Sequence, residues 1–206
     1  MKDNRQKEIV LKDIREALIN RNNVENIELS TVEACTFVDP EVNDLSVLFA
    51  ERFTQRGGTL YYCYNESDIK NRIEEIQRRH EGVVIGCASE NLNSFLGHLG
   101  IENRCTCDCS KRYPLGATLC EALIAWQGSI VISSNQGLGI TIPSLSPVTI
   151  VLAFTSQVVS DWESTNERLK DLYPQFPDSL MVTNPASYAY RKKQQKIYLI
   201  LIEDED

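Results

Sequence analysis

Three cysteines alternate in the stretch CTCDC, as Cys105, Cys107 and Cys109. Side chains two residues apart on an extended chain share a face, so this spacing gathers thiols that could hold a metal or oxidise together. Iron–sulfur ligation favours C-x-x-C, which the chain lacks, and structural zinc needs a fourth donor. Cys120 could supply that donor only if the chain folded back through Pro114. No metal or other cofactor is therefore expected. The seven cysteines, an odd number in a chain with no secretory signal, are read as mostly reduced thiols. Metal binding and oxidation of the CTCDC thiols stand beside this as two equal alternatives. His80 and His98 fall near the C-terminal ends of predicted helices, where an imidazole can serve free carbonyls.

Two further segments place polar groups beside expected strands. SSNQGLG, with Asn135 and Gly137, follows an apolar run and could turn backbone N–H groups toward an anion. It lacks the third glycine of a dinucleotide fingerprint and the lysine of a phosphate loop, so an ordinary loop is the plainer reading. Asn184 to Ala189, NPASYA, follows SLMVT at a strand's carboxyl end, where open α/β sheets bind ligands. The plain alternative is a turn with Pro185 opening a helix. Glu121 is the one carboxylate near these segments, and Trp126 and Gly128 lie at an expected chain reversal.

The elements that must position these residues are legible from periodicity. Val10, Ile14 and Leu18 predict a helix over residues 5–20. Leu45, Leu48, Phe49 and Phe53 predict another over Glu41–Arg56, after Pro40. Strand TLYYCY follows, then a helix carrying Ile69, Ile73 and Ile76 that Asn65 or Ser67 caps, then VVIGC, then a helix with Leu92, Phe95, Leu96 and Leu99 that Ser89 caps. Alternation of this kind predicts βαβ units around a largely parallel sheet covered on both faces. ALIAW and SIVIS, separated by Gln127-Gly128, predict a β-hairpin with a two-residue turn. VTIVLAF, SLMVT and KIYLILI are further strands, and Ser160 to Glu163 opens a last helix as a capping box.

At 206 residues the chain can bury a core without metal or disulfide staples. Its 21 Lys and Arg against 29 Asp and Glu give a net charge of −8, which disfavours a nucleic-acid backbone or an anionic membrane as partner. No segment approaches the apolar length of a membrane span, and a cytoplasmic protein is expected. The closing Glu203-Asp204-Glu205-Asp206 reads as a solvated acidic tail.

The order of EIVLKDIREAL, FAERFTQRGGTLYY, GATLCEALIAWQGSIVIS, SPVTIVLAFTSQVV and LMVTNPASYA resembles the LUD-domain family, that of lactate utilization protein C, over nearly the whole chain. Gly116, Thr118, Glu121, Ala122, Ile124, Ala125, Gly128, Ser129 and Val131 match its hairpin motif in register. The resemblance implies one LUD-like domain over residues 1–206, with an N-terminal helix over 1–22. The implied fold is an open mixed α/β sheet of the ribose-phosphate isomerase and CoA-transferase kind, with a central hairpin and helices on both faces. It also implies a part in the utilization of L-lactate or a related organic acid, alongside iron–sulfur partner proteins. A small organic acid or phosphorylated ligand is then expected near Glu121, Trp126, Gly128, Asn135, Gly137, Asn184 and Ser187.

The departures from the family pattern bear on chemistry. Trp126-Gln127 stands where the family has Glu-Thr, Ser187 where it has a basic residue, and Tyr190 and Lys192 where it has acids. Loss of the base and the acids removes the groups best suited to anion binding and proton transfer. The alternatives are a degenerate assembly domain, with Trp126 and Tyr188 filling the pocket, and an enzyme of the CoA-transferase or isomerase type that uses Glu121.

Overall fold

The computed structural model describes residues 44–87, 89–105, 113–186 and 195–204. The helix expected over residues 1–22, together with Cys107, Cys109, Ser187 and Tyr188, lies outside them. The chain divides into residues 1–41 and 42–206, and every element below belongs to the second unit.

Helix α1, Leu45–Gln55, begins later than periodicity suggested, because Asp44 is extended and its carboxylate accepts from Ser46 N–H at 2.8 Å. Strand β1, Thr59–Cys63, leads to α2, Glu66–Arg79, whose first turn is capped by Asn65 Oδ1 accepting from Asp68 N–H at 2.9 Å. Strand β2, Ile85–Cys87, precedes α3, Glu90–His98, capped by Ser89. Strands β3, Asn103–Cys105, and β4, Leu115–Leu119, complete the alternating half.

The hairpin arms are β5, Ala122–Ile124, and β6, Ser129–Ser133. The reversal takes four residues, 125–128, and not two, since Ile124 pairs with Ser129 and the Gly128 N–H donates to Ala125 C=O. SSNQGLG is no plain loop. Residues Ser134–Thr141 coil into tight helical turns with a break at Gln136 and Gly137, and ITIP runs into a short helix α4, Ile142–Leu145. Then come β7, Val148–Phe154, and β8, Val158–Val159. Helix α5, Trp162–Leu172, is capped by Asp161 and not by Ser160. Strands β9, Leu180–Thr183, and β10, Lys196–Ile202, close the set.

The α/β architecture holds, with its mixed character divided between two sheets. Six strands form a wholly parallel sheet in the order β1-β10-β7-β4-β2-β3. The hairpin belongs to a separate four-stranded sheet, β8-β5-β6-β9, with antiparallel β5–β6 and β6–β9 pairs and a parallel β5–β8 pair.

Alternation along the central strands sorts the core into layers. Ile150, Leu152, Tyr198 and Ile200 pack with Ile69, Ile73 and Ile76 of α2 and Leu92 and Leu96 of α3. Val151, Ala153, Leu199 and Leu201 point the other way, onto Leu48, Phe49 and Phe53 of α1 and Leu123, Ile130 and Ile132 of the second sheet. Each such fully buried side chain contributes roughly 1.5–3 kcal/mol of transfer free energy. This is why β7 and β10 read as continuous apolar runs: both of their faces are covered.

The acidic end is not merely solvated. Asp204 Oδ2 accepts from Ser156 N–H at 2.6 Å and Thr155 Oγ1 at 3.0 Å, so the chain end pins the turn after β7. Glu205 and Asp206 lie outside the described residues. Among the described residues no helix is long and apolar enough to cross a membrane.

Candidate functional site

The carboxyl ends of the parallel strands open onto two adjoining cavities. One, about 200 Å³, is lined by Leu119 at the end of β4, Leu152 and Phe154 of β7, Ile202 of β10, and Asn91, Leu92 and Phe95 from the first turns of α3. The other, about 320 Å³, shares Phe95, Phe154 and Ile202, and its remaining wall includes Tyr64, Glu66, Glu203 and Asp204. Together they form a cleft with an apolar floor and a carboxylate-bearing flank. Phe154 is 43% and Tyr64 70% exposed, so two aromatic rings stand open at its mouth. Burial pushes the Asp204 carboxyl up, but hydrogen bonds from Ser156 and Thr155 and the charge of Arg168 outweigh this and hold it below its usual value.

Glu121 lies beside the second sheet, 3% exposed, and its carboxylate is caged by three donors. Ser133 Oγ donates to Oε1 at 2.5 Å, Gln136 Nε2 to Oε1 at 2.9 Å, and Tyr173 Oη to Oε2 at 2.9 Å. Arg168 Nε donates to the Glu121 backbone carbonyl at 3.0 Å, and its Nη1 to Ser156 C=O at 2.8 Å. The cage joins the β4–β5 link, β6, the Ser134–Thr141 turns and the end of α5 through one residue. Burial, with the adjacent Glu121 carboxylate, pushes the Tyr173 phenol up to about 12. The same two causes push the Cys120 thiol up. A carboxylate with three donors around it has its hydrogen-bonding capacity taken up by its own neighbours.

The predicted site residues do not converge. Glu121, Asn135 and Gly137 sit at one end of the second sheet, where Asn135 N–H donates to Ser133 Oγ at 3.1 Å. Gly137, with φ 59° and ψ −130°, adopts backbone that only glycine takes comfortably, and the kink lays Gly139 against Thr118, whose Oγ1 donates to Gly139 C=O at 3.2 Å. Trp126 and Gly128 lie at the other end of β6, about 13 Å away by strand rise. Asn184 falls at that end too, because Thr183 pairs with Ile130. Gly128, at φ 57°, presses on α1, where a Cβ would come within 2.7 Å of Arg52 C and Phe53 N. Arg52 stacks over the Trp126 ring at 5.8 Å. These two residues seat the hairpin turn on a helix. Ser187 is outside the described residues, and none of the other six lines either cavity.

The apolar residues that line the cleft carry no chemical signal in the sequence and read as helix or strand positions. Phe154 and Ile202 end the runs VTIVLAF and KIYLILI and look like core. The available signal was their place at the carboxyl ends of parallel strands, where open α/β sheets receive ligands. The histidines keep to the helix ends expected of them. Both have side-chain partners there in place of carbonyls: His98 Nε2 lies 3.7 Å from the Glu66 carboxylate at the start of α2, and the His80 ring meets Tyr198 Oη at 3.2 Å. Among the described residues no group of three or more His, Cys, Asp or Glu is placed to hold a metal.

Fold and cleft define an α/β protein with a carboxyl-end cavity. Among solved structures, the chain is similar to a DUF162 family protein from Deinococcus radiodurans, with a TM-score of 0.61 and 12% identity over 77% of this chain and 96% of that one. A ribose 5-phosphate isomerase from Plasmodium falciparum is similar at a TM-score of 0.30 and 12% identity, over 56% of this chain and 52% of that one, a likeness on which nothing further rests. No family model matches the chain, and no curated protein matches it.

Proposed function

We propose that the chain is a LUD-like binding domain serving the utilization of L-lactate or a related organic acid, with its ligand held in the carboxyl-end cleft. The likeness to a DUF162 protein, itself LUD-domain-like, supports the fold side of this reading. The resemblance in the hairpin motif supports the metabolic side. The observation that carries the ligand site is the cavity walled by Leu119, Leu152, Phe95, Phe154 and Ile202 beside Asn91.

The apolar floor suits the carbon arm of the acid, and the first turn of α3 at Asn91 offers backbone N–H groups and the positive end of a helix to a carboxylate. Glu66, Glu203 and Asp204 on the flank repel further negative charge. A monocarboxylate therefore fits better than a phosphorylated compound, and an acid with a longer aliphatic or aryl arm better than lactate itself. Glu121, spent on Ser133, Gln136 and Tyr173, supports a binding role over CoA-transferase or isomerase chemistry. The exposed rings of Tyr64 and Phe154 favour a second reading, in which a partner subunit, an iron–sulfur protein by the resemblance, covers the cleft.

Thermal shift with L-lactate, pyruvate, six- to eight-carbon 2-hydroxy acids and a phosphosugar tests the ligand. The longer hydroxy acids should raise Tm most and the phosphosugar not at all; a ligand at 100 times its Kd adds about 2.7 kcal/mol. Asn91→Asp, at an exposed position, should abolish the shift while leaving the apo Tm unchanged. If no monocarboxylate moves Tm, the ligand reading falls.

A further inference from the structure

Cys87 closes β2 and Cys105 closes β3, and the two are paired in register across these parallel strands. Adjacent strands run about 4.8 Å apart and in-register side chains leave the sheet on the same face. Disulfides span Cα separations of about 4.4–6.8 Å, so the backbone spacing suits a bridge without strand movement. The Cys87 sulfur leans toward its neighbour strand. It donates to Arg104 C=O at 3.6 Å and lies 3.8 Å from Asn103 Oδ1, both on β3, and 3.7 Å from Asn93 Oδ1 on α3.

The two thiols differ in what they can do. Cys105 is exposed on the sheet's edge strand, where a small oxidant reaches it. Cys87 is fully buried, and burial first, with Cys105 second, pushes its thiol up to about 11. One sulfur is thus accessible for attack and its neighbour is sheltered until a reactive sulfur forms beside it.

We propose that Cys87 and Cys105 are a redox-active pair that closes to a reversible cross-strand disulfide when the protein meets hydrogen peroxide. The Cys105 thiolate attacks the peroxide O–O bond, giving a sulfenic acid and hydroxide, which takes up a proton as water. The Cys87 sulfur then attacks the Cys105 sulfur, the S–O bond breaks, and the departing hydroxide takes the Cys87 proton as a second water. Two thiols lose two electrons and two protons, and the peroxide gains both. A dithiol reductant returns the pair by exchange. The cross-link would fasten edge strand β3 to β2, directly ahead of the helix whose first turns line the cleft. The pair stands independently of the proposed ligand.

The test treats the reduced full-length protein with stoichiometric hydrogen peroxide, alkylates it under denaturing conditions and maps its peptides. The expected product is a monomer lighter by two hydrogen atoms, with a Cys87–Cys105 cross-linked peptide that disappears on reduction. Cys105→Ser, at an exposed position, should abolish the cross-link and leave Cys87 fully alkylatable. Cys87→Ser should leave a Cys105 sulfenic acid that dimedone traps in several-fold greater yield than in the parent. Cross-linking of Cys105 to any other cysteine, a disulfide between two chains, or a Cys87 that stays alkylatable in the oxidised parent would each overturn the proposal.

Discussion

The Tyr173 hydroxyl donates to Glu121 Oε2 across 2.9 Å, tying the residue just past the end of α5 to the residue just ahead of β5. With Ser133 and Gln136 on the other oxygen, that bond makes Glu121 a junction between the hairpin sheet and the rest of the domain.

Removing the junction is destabilising in proportion to the polar groups left stranded. Glu121→Ala takes the carboxylate acceptor from Ser133 Oγ, Gln136 Nε2 and Tyr173 Oη, of which only the Ser133 hydroxyl belongs to a fully buried residue, and that oxygen keeps its bond from Asn135 N–H. A loss of about 2–4 kcal/mol is expected, against about 1–2 kcal/mol for Tyr173→Phe, which removes one bond to a charged acceptor from a half-buried ring. Urea denaturation with unchanged m-values measures both. An enzyme reading would be revived if Glu121→Gln left stability intact and removed an activity.

The same contact sets an alkaline limit. In the unfolded chain the Tyr173 phenol titrates near its ordinary 10, while in the folded protein burial and Glu121 raise it to about 12. The unfolded state therefore sheds its proton first. The stability this group contributes is whole below pH 10 and is lost as pH rises toward 12. Stability curves from pH 9 to 12 should slope downward more gently in Tyr173→Phe than in the parent.

His80 acts at the other end of the pH scale. Burial beneath Tyr198, then the charges of Lys196 and Arg79, lower its folded pKa below the ordinary 6.5. The folded state resists a proton that the unfolded state accepts, so this contribution is present above pH 6.5 and fades as pH falls through the lower folded value. Chemical denaturation at pH 7 and pH 5 should show a smaller acid loss in His80→Gln than in the parent.

Gly128 answers to a steric limit. Its φ of 57° costs an L-residue about 1–2 kcal/mol, and a Cβ there meets the α1 backbone at 2.7 Å. Overpacking of that kind adds about 1–3 kcal/mol. Gly128→Ala should lower stability by about 2–4 kcal/mol in a thermal melt. It should also move the fluorescence of Trp126, whose ring packs against Arg52.

The parallel alternation was legible because each element carries local information. Ile69, Ile73 and Ile76 repeat at helical spacing, Asn65 and Ser89 are oxygen caps at helix starts, and β7 and β10 are apolar on both faces because both are covered. The positive φ of Gly128 was foreseen as a reversal for the same reason, since glycine tolerates it at no steric cost. The length of the turn was not, because packing on α1 set it. Nor did periodicity separate one mixed sheet from two, since hydrogen-bond partners of a strand are chosen by its three-dimensional neighbours.

The candidate site shows the same division. Sequence by itself determined that Glu121 is the one acid near the hairpin, that glycines sit where the chain must bend, and that strands end at Phe154 and Ile202. Only the tertiary structure decided that Glu121 is spent on its own neighbours, that Trp126 and Gly128 face a helix, and that a cleft opens where separate segments meet at the carboxyl edge of the sheet. The physical reason is range. Caps, turns and amphipathic faces are settled within a few residues, whereas a cavity is the space left between elements far apart in the chain, and no local spacing encodes it.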